Sequence, residues 1–206
     1  LSQSNNELEQ FAYVASHDLQ EPLRMVASYI QLLQRRYKVH ITAEADEFIG
    51  YAVDGVVRMK TLINNLLAYS RVNTKDSQLE DVDCNKVVEL NIKNLKASIE
   101  ETGAEINVEK LPVVKANQLQ LNKLFQNLMS NAIKFRKPDV KPVVNISAKH
   151  VGDEWLFTLS DNGIGINKEF SDKIFIIFQR LHNSSEYPGT GIGLAICKRI
   201  VEKLGG

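Results

Sequence analysis

Apolar residues return at alternating steps of four and three along the opening stretch of the chain: Leu8, Ala12, Ala15, Leu19, Pro22, Val26, Tyr29 and Leu33. Such a heptad seam runs down one side of a helix, and a lone helix has nothing to bury it against. After a break at residues 38–42 the rhythm resumes in Ala45, Ile49, Ala52, Val56, Met59, Ile63 and Leu66. Thr42 is placed to cap this second helix, and Glu44 and Asp46 suit its positive end. Two helices joined by so short a connection form an antiparallel hairpin. A homodimer in which two hairpins make a four-helix bundle covers both seams most simply; a monomeric hairpin packed on the rest of the chain is the alternative.

The pattern changes beyond a polar stretch at residues 73–83, which reads as a linker. Residues 84–101 carry a helical pattern stopped by Gly103, and residues 104–110 alternate like a strand. Residues 117–136 form a second helical segment closed by Pro138. Val144, Ile146, Ala148 and His150 alternate with polar residues, as do Trp155, Phe157 and Leu159, across a turn at Gly152-Asp153; this is a hairpin signal. A last helix spans residues 191–204. The expected architecture is multidomain, α followed by α+β: residues 1–72 a helical hairpin, 73–83 a linker, and 84–206 an α/β sandwich with one face of its sheet covered by helices.

Bulk properties exclude several classes of function. Lys plus Arg and Asp plus Glu are 25 each, so no net charge points to nucleic acid or an anionic membrane surface. No apolar run approaches the roughly 20 residues that span a bilayer. Cys84 and Cys197 lie far apart in no metal-ligand spacing and read as two ordinary thiols in a reducing, cytoplasmic setting. The chain opens in helical sequence without an initiator methionine, which reads as a fragment of something longer. His40, His150 and His182 have no metal-ligand neighbours, and Tyr29, Tyr37, Trp155 and Phe157 read as core or seam residues.

Four short motifs carry chemistry. In Ser16-His17-Asp18-Leu19-Gln20-Glu21-Pro22, placing Ala15 and Leu19 on the seam turns His17 outward. An outward neutral imidazole has a lone pair able to attack phosphorus, and Asp18 beside it can orient or take up the other ring proton. Pro22 removes a backbone donor and can kink the helix there. Taken alone, His17 reads more readily as a solvated histidine beside an ordinary acid. Asn127, Asn131 and Lys134 share one helical stripe; amide oxygens suit Mg²⁺ and the lysine suits phosphate, though a plain polar helix face has the same look. Asp161-Asn162-Gly163-Ile164-Gly165 follows an alternating strand; its carboxylate can accept from an exocyclic amine while the glycines let backbone turn around a flat ring. Gly189-Thr190-Gly191-Ile192-Gly193-Leu194 opens a helix and can bring backbone N–H groups against phosphate.

The order of these motifs resembles the sensor histidine kinases of two-component signalling, with their H, N, G1 and G2 boxes in sequence. Phe175 and Phe178 resemble the intervening F box, and the segment around His17 is similar to the phytochrome-like and PAS-linked branch. The resemblance implies a dimerisation and histidine phosphotransfer domain followed by an ATP-binding domain of the type shared with Hsp90, gyrase and MutL. It implies His17 as phosphoacceptor with Asp18 as general base, and Asn131 with Asn127 holding Mg²⁺. Lys134 would contact phosphate, Phe135 would pack on the nucleotide, and Asp161 would read the adenine amine. Gly163, Gly165, Gly189, Gly191 and Gly193, with Thr190 and Leu194 between and after them, would shape the ATP pocket. Arg180 is a further candidate for phosphate contact, and residues 182–188 would form a short ATP lid. The implied partners are a second copy of the chain, a response-regulator receiver domain and an upstream sensor domain, with neither nucleic acid nor membrane insertion.

Two departures from the family pattern bear on function. Glu21 stands four residues after His17, where many kinases carry Thr or Asn for the reverse, phosphatase reaction; a carboxylate there cannot donate a hydrogen bond to water. The family also continues into a final pair of strands beyond the position of Gly206; unless the parent protein carries them, a sheet edge stays unpaired and the ATP domain is expected to be less stable. Two rival readings are an ATP-driven conformational machine using the same pocket without phosphohistidine, and a dimeric helical scaffold whose ATP domain has decayed.

Overall fold

The computed structural model describes residues 2–37, 41–71, 79–181, 186–187 and 189–206, with backbone alone at 2–18 and 71. The chain divides into two units, Leu1–Asn73 and Thr74–Gly206.

The first unit is a helical hairpin of α1 (Ser2–Tyr37) and α2 (Ala43–Arg71). Thr42 caps α2 as expected: its hydroxyl accepts the Ala45 N–H at 3.2 Å and its carbonyl the Asp46 N–H at 3.0 Å. Antiparallel packing is fixed at both ends, where Gln20 Nε2 donates to Asn64 Oδ1 and Gln34 Nε2 to Asp46 Oδ1, each at 2.9 Å. The contact stripe of α1 differs from the expected seam by one notch. Gln20, Leu23, Ala27, Ile30 and Gln34 are the partly buried positions, whereas Leu19, Val26, Tyr29 and Leu33 stay exposed. On α2 the expected seam holds at Ala45, Ile49, Val56, Ile63 and Leu66, while Ala52 and Met59 are exposed. Helix α1 thus carries two adjacent apolar stripes, and the hairpin itself covers one. Pro22 lies inside α1 and offers no N–H to the Asp18 carbonyl one turn earlier.

The second unit runs β1 (Glu80–Asp83), α3 (Cys84–Asn94), α4 (Lys96–Thr102), β2 (Glu105–Val108), β3 (Val113–Ala116), α5 (Gln118–Lys134), β4 (Val143–Val151), β5 (Glu154–Asp161) and α6 (Gly193–Lys203). Two single 3₁₀ turns, Lys168–Phe170 and Lys173–Phe175, lie between β5 and α6. Strands β1 and β3 form an antiparallel pair; β2, β4 and β5 form a mixed sheet with β4 central, parallel to β2 and antiparallel to β5.

Three expectations change here. Glu80–Asp83, read as the end of the linker, is a strand hydrogen-bonded to β3. The helix read across residues 84–101 is broken at Leu95, whose N–H closes α3 on Asn91 and Lys93. Trp155 is 42% exposed beside His150 and Tyr37 is exposed, whereas Phe157 packs inward, edge-on to Phe125; Tyr29, exposed on the single hairpin, keeps its place in the seam expected to meet a second copy. Gly103 ends α4 in the left-handed conformation at φ 65°, as its position predicts.

The core forms where one face of α5 meets β4 and α3. Leu121, Phe125, Met129 and Ala132 recur at steps of four and three and are buried against Val144, Ile146, Val87 and Val88. Helix α6 packs on α5, with Cys197 Sγ 3.9 Å from the Leu124 carbonyl, and Ala195, Ile196 and Ile200 are buried along it. Asp83 caps α3 by accepting the Asn85 N–H at 2.9 Å, and the Asn85 side chain clips the Leu111 backbone through both of its amide atoms. The inward face of α5 is spent on this packing, so its remaining stripe, Asn127–Asn131–Lys134, is left for other partners.

Candidate functional site in the second unit

Helix α5 supplies one wall. Asn127 Nδ2 donates to the Gly193 carbonyl at 3.2 Å, tying the middle of α5 to the first turn of α6. A Cβ at Gly193 would lie 3.6 Å from the Asn127 amide, so the two segments touch closely. Asn131 is half-buried one turn on, and its backbone carbonyl accepts the Phe135 N–H at 2.9 Å to finish the helix. The Asn131 side-chain amide makes no hydrogen bond among the described residues. An amide oxygen left open in this way is a fitting donor for a hard cation such as Mg²⁺, which takes most of its remaining oxygens from water and substrate phosphates. No cluster of three or more His, Cys, Asp or Glu side chains that would suit a protein-held metal occurs among the described residues.

Lys134 ends α5 with its Nζ 4.1 Å from the Phe135 ring centroid and close to Gly189, where a Cβ would lie 3.2 Å away. Burial, helped by the Arg180 charge, holds its ammonium below the ordinary lysine value. Among the described residues Lys134 pairs with no carboxylate, and its charged influence is a second cation. Two cations drawn together without an acid between them fit a polyanionic ligand.

The Asp161 turn adjoins the end of α5. Asp161 closes β5, and its Oδ1 accepts the Gly163 N–H at 2.8 Å. Asn162 reaches back to the start of β4, accepting the Val143 N–H and donating to the Lys141 carbonyl, both at 2.9 Å. Ile164 N–H then bonds the Phe135 carbonyl at 3.0 Å. Gly163 has no room for a side chain, because a Cβ would overlap that same carbonyl and lie 2.7 Å from Asp161 Oδ1. Gly165 differs: its φ is +72° but a Cβ there would meet open space.

The glycine loop completes the site. Gly191 lies at φ +71°, and a Cβ there would stand 2.8 Å from the Gln179 carbonyl oxygen. The Gly191 carbonyl in turn accepts the Phe178 N–H at 3.0 Å. Phe178 is itself left-handed at φ 66°, an unusual conformation for a bulky residue. The F-box segment and the glycine loop are therefore locked backbone to backbone. Helix α6 begins at Gly193 with no side-chain cap from Ile192, and backbone N–H groups of such a first turn suit an anion; Thr190 precedes this turn and Leu194 lies in it.

Of the residues expected from sequence, Asn127, Lys134, Phe135, Asp161, Gly163, Gly189, Gly191 and Gly193 are linked by these contacts. Arg180 is engaged with protein: its Nη2 donates to the Tyr187 carbonyl at 2.8 Å. His17 and Asp18 lie on α1, and their side chains fall outside the described residues, as do His40 and His182 and most of segment 182–188. Glu21 is exposed, 4.0 Å from Arg24. Three features were missed: the role of Asn162, the Asn127–Gly193 bond, and the contact of Tyr187, within the expected lid, with the Phe135 ring. Each is a pairing between distant segments, for which local sequence carries no signal. A cleft of about 540 Å³ runs along α4 and α5, lined by Leu95, Thr102, Ile133 and Arg136. It shares Lys134 and Tyr187 with the site, but Asn131, Asp161 and the glycines are not among its walls, so the contacts above define the site better than this opening does.

A helical hairpin bearing a His-Asp pair, followed by a domain with this amide, aspartate and glycine set, defines the two-domain catalytic core of a histidine kinase. Residues 7–75 match the His Kinase A (phospho-acceptor) domain and residues 116–206 the histidine kinase-, DNA gyrase B-, and HSP90-like ATPase domain; the chain belongs to the histidine kinases. It is 54% identical over 98% of its length to cyanobacterial phytochrome A of Nostoc sp. and 50% identical over 98% to the phytochrome-like protein Cph1 of Synechocystis sp.. It spans 26% and 27% of those relatives' lengths. The crystal structure of full-length ShkA in complex with AMPPNP shares the fold, with a TM-score of 0.73 at 23% identity over 95% of this chain and 41% of that one. No described helix is long and apolar enough to cross a membrane.

Proposed function

We propose that this chain transfers the γ-phosphoryl group of ATP to His17 and then donates it to an aspartate on a response-regulator receiver domain. The observation carrying the reading is that contacts along the second half of α5 tie Asn127 to Gly193, Lys134 to Gly189 and Phe135 to the Asp161 turn. Lys134 and the α6 N-terminus would meet phosphate, Asp161 the adenine amine, and Phe135 the flat face of the base. Asn131, with Asn127 beside it, would hold Mg²⁺, which when bound neutralises phosphate charge. The His17 imidazole nitrogen would form the new bond to phosphorus as the bond to the ADP oxygen breaks, and Asp18 would accept the proton left on the ring. Charge neutralisation and positioning supply most of the acceleration in such transfers.

The exposed stripe of Leu19, Val26, Tyr29 and Leu33 supports a homodimer, in which a second hairpin buries what the first leaves open. An upstream sensor domain would act through α1, whose start lies before His17 in the chain. The test is incorporation of label from γ-labelled ATP into wild type and His17→Gln. Acid-labile, base-stable label in wild type and none in His17→Gln is the expected result. Nucleotide hydrolysis without label would instead select the conformational-machine reading.

A further inference from the structure

The Phe135 ring that the proposed function sets against the base is already engaged by another aromatic. Tyr187 lies with its ring centroid 5.0 Å from that of Phe135 at an interplanar angle of 38°. This is direct ring contact, and no flat ligand ring fits between the two. Tyr187 is held from a second side, because Arg180 Nη2 donates to its backbone carbonyl at 2.8 Å. The same hydrogen bond directs the Arg180 guanidinium at a peptide oxygen, where sequence expected a phosphate. Lys134 Nζ shares the Phe135 ring at 4.1 Å. One cluster of four side chains therefore joins the base-packing residue to both candidate phosphate cations.

We propose that Tyr187 competes with the nucleotide base for the Phe135 ring, so that binding requires Tyr187 to leave. The inference rests on the nucleotide reading of the site and adds a residue that sets its affinity. Tyr187 has somewhere to go, since it also borders the cleft along α4 and α5, whose walls include Leu95, Ile133 and Pro138. Because the acceptor is the Tyr187 main-chain carbonyl, a departure that carries the backbone of residue 187 with the ring would also break the bond to Arg180 and free its guanidinium for phosphate, coupling base entry to completion of the phosphate site. Tyr187 thereby weakens nucleotide affinity in exchange for making the two events cooperative.

The test is Mg-ADP affinity of the full 206-residue chain by calorimetry, for wild type, Tyr187→Ala and Tyr187→Phe. Tyr187 is half-buried and outside the hydrophobic core, so both variants retain the fold. Wild type should bind, Tyr187→Ala should bind roughly threefold to tenfold tighter, and Tyr187→Phe, which keeps the ring, should stay within about twofold of wild type. Unchanged or weaker binding by Tyr187→Ala overturns the inference and leaves the nucleotide reading standing; weaker binding makes Tyr187 a nucleotide contact. Equal tightening by both variants also overturns it, because the hydroxyl and not the ring would then be responsible. Failure of wild type to bind Mg-ADP overturns both.

Discussion

The Phe135 carbonyl accepts the Ile164 N–H at 3.0 Å, which makes the end of α5 and the turn after β5 one continuous piece of backbone. Gly163 sits at the joint and owes its identity to this bond. The residues proposed to read the base and those proposed to meet phosphate are therefore set relative to each other by main chain, which cannot drift as side chains do.

Gly163 and Gly165 should respond differently to the same substitution. Gly163→Ala drives a methyl group into the Phe135 carbonyl and Asp161 Oδ1, and overpacking against backbone costs about 1–3 kcal/mol. Nucleotide affinity should fall by about tenfold or more as the joint opens. Gly165→Ala meets no atom and suffers only the left-handed backbone, at about 1 kcal/mol. Thermal unfolding and Mg-ADP titration of both variants check the contrast; equal effects would show that Gly163 is not confined.

Lys134 predicts a pH dependence of nucleotide binding. Its cationic form is the one that attracts phosphate, and burial next to Arg180 lowers its pKa from 10.5. Affinity is therefore complete below the lowered pKa and lost as pH rises through it, so the decline begins at a lower pH than an ordinary lysine would give. Lys134→Met should weaken Mg-ADP binding by about tenfold or more and flatten this alkaline limb. The buried charge costs stability wherever it is protonated, so the same variant should unfold at an equal or higher temperature near neutral pH. A large loss of stability instead would assign Lys134 a structural role.

The two thiols should be inert in the native protein. Cys84 and Cys197 are buried, and burial raises each pKa to about 11. At pH 8 roughly one molecule in a thousand carries either thiolate, and neither sulfur is accessible. A disulfide-exchange reagent should therefore titrate no fast thiol in the folded chain and two in denaturant. Rapid native labelling of Cys197 would mean that α6 opens from α5.

The chain's local patterns determined its elements and its chemistry. Period 3.6 and period 2 stretches, with Thr42, Asn117 and Gly103 at element ends, marked most helices and strands, and the ordered motifs marked the amide, aspartate and glycine residues of the site. Strands β1 and β3 escaped notice because neither sits in a longer alternating stretch, as the equally short β2 does within residues 104–110, and they exist by pairing with each other across about thirty residues of chain. The stripe by which α1 meets α2 was equally invisible, since two neighbouring apolar stripes have the same period and only the partner helix selects one. Tertiary structure alone decided that Asn127 bonds Gly193, that Arg180 faces Tyr187, and that Phe135 anchors the Asp161 turn. Sequence names a donor or an acceptor at each position; which of them meet depends on the path of the folded backbone, and no local residue pattern records it.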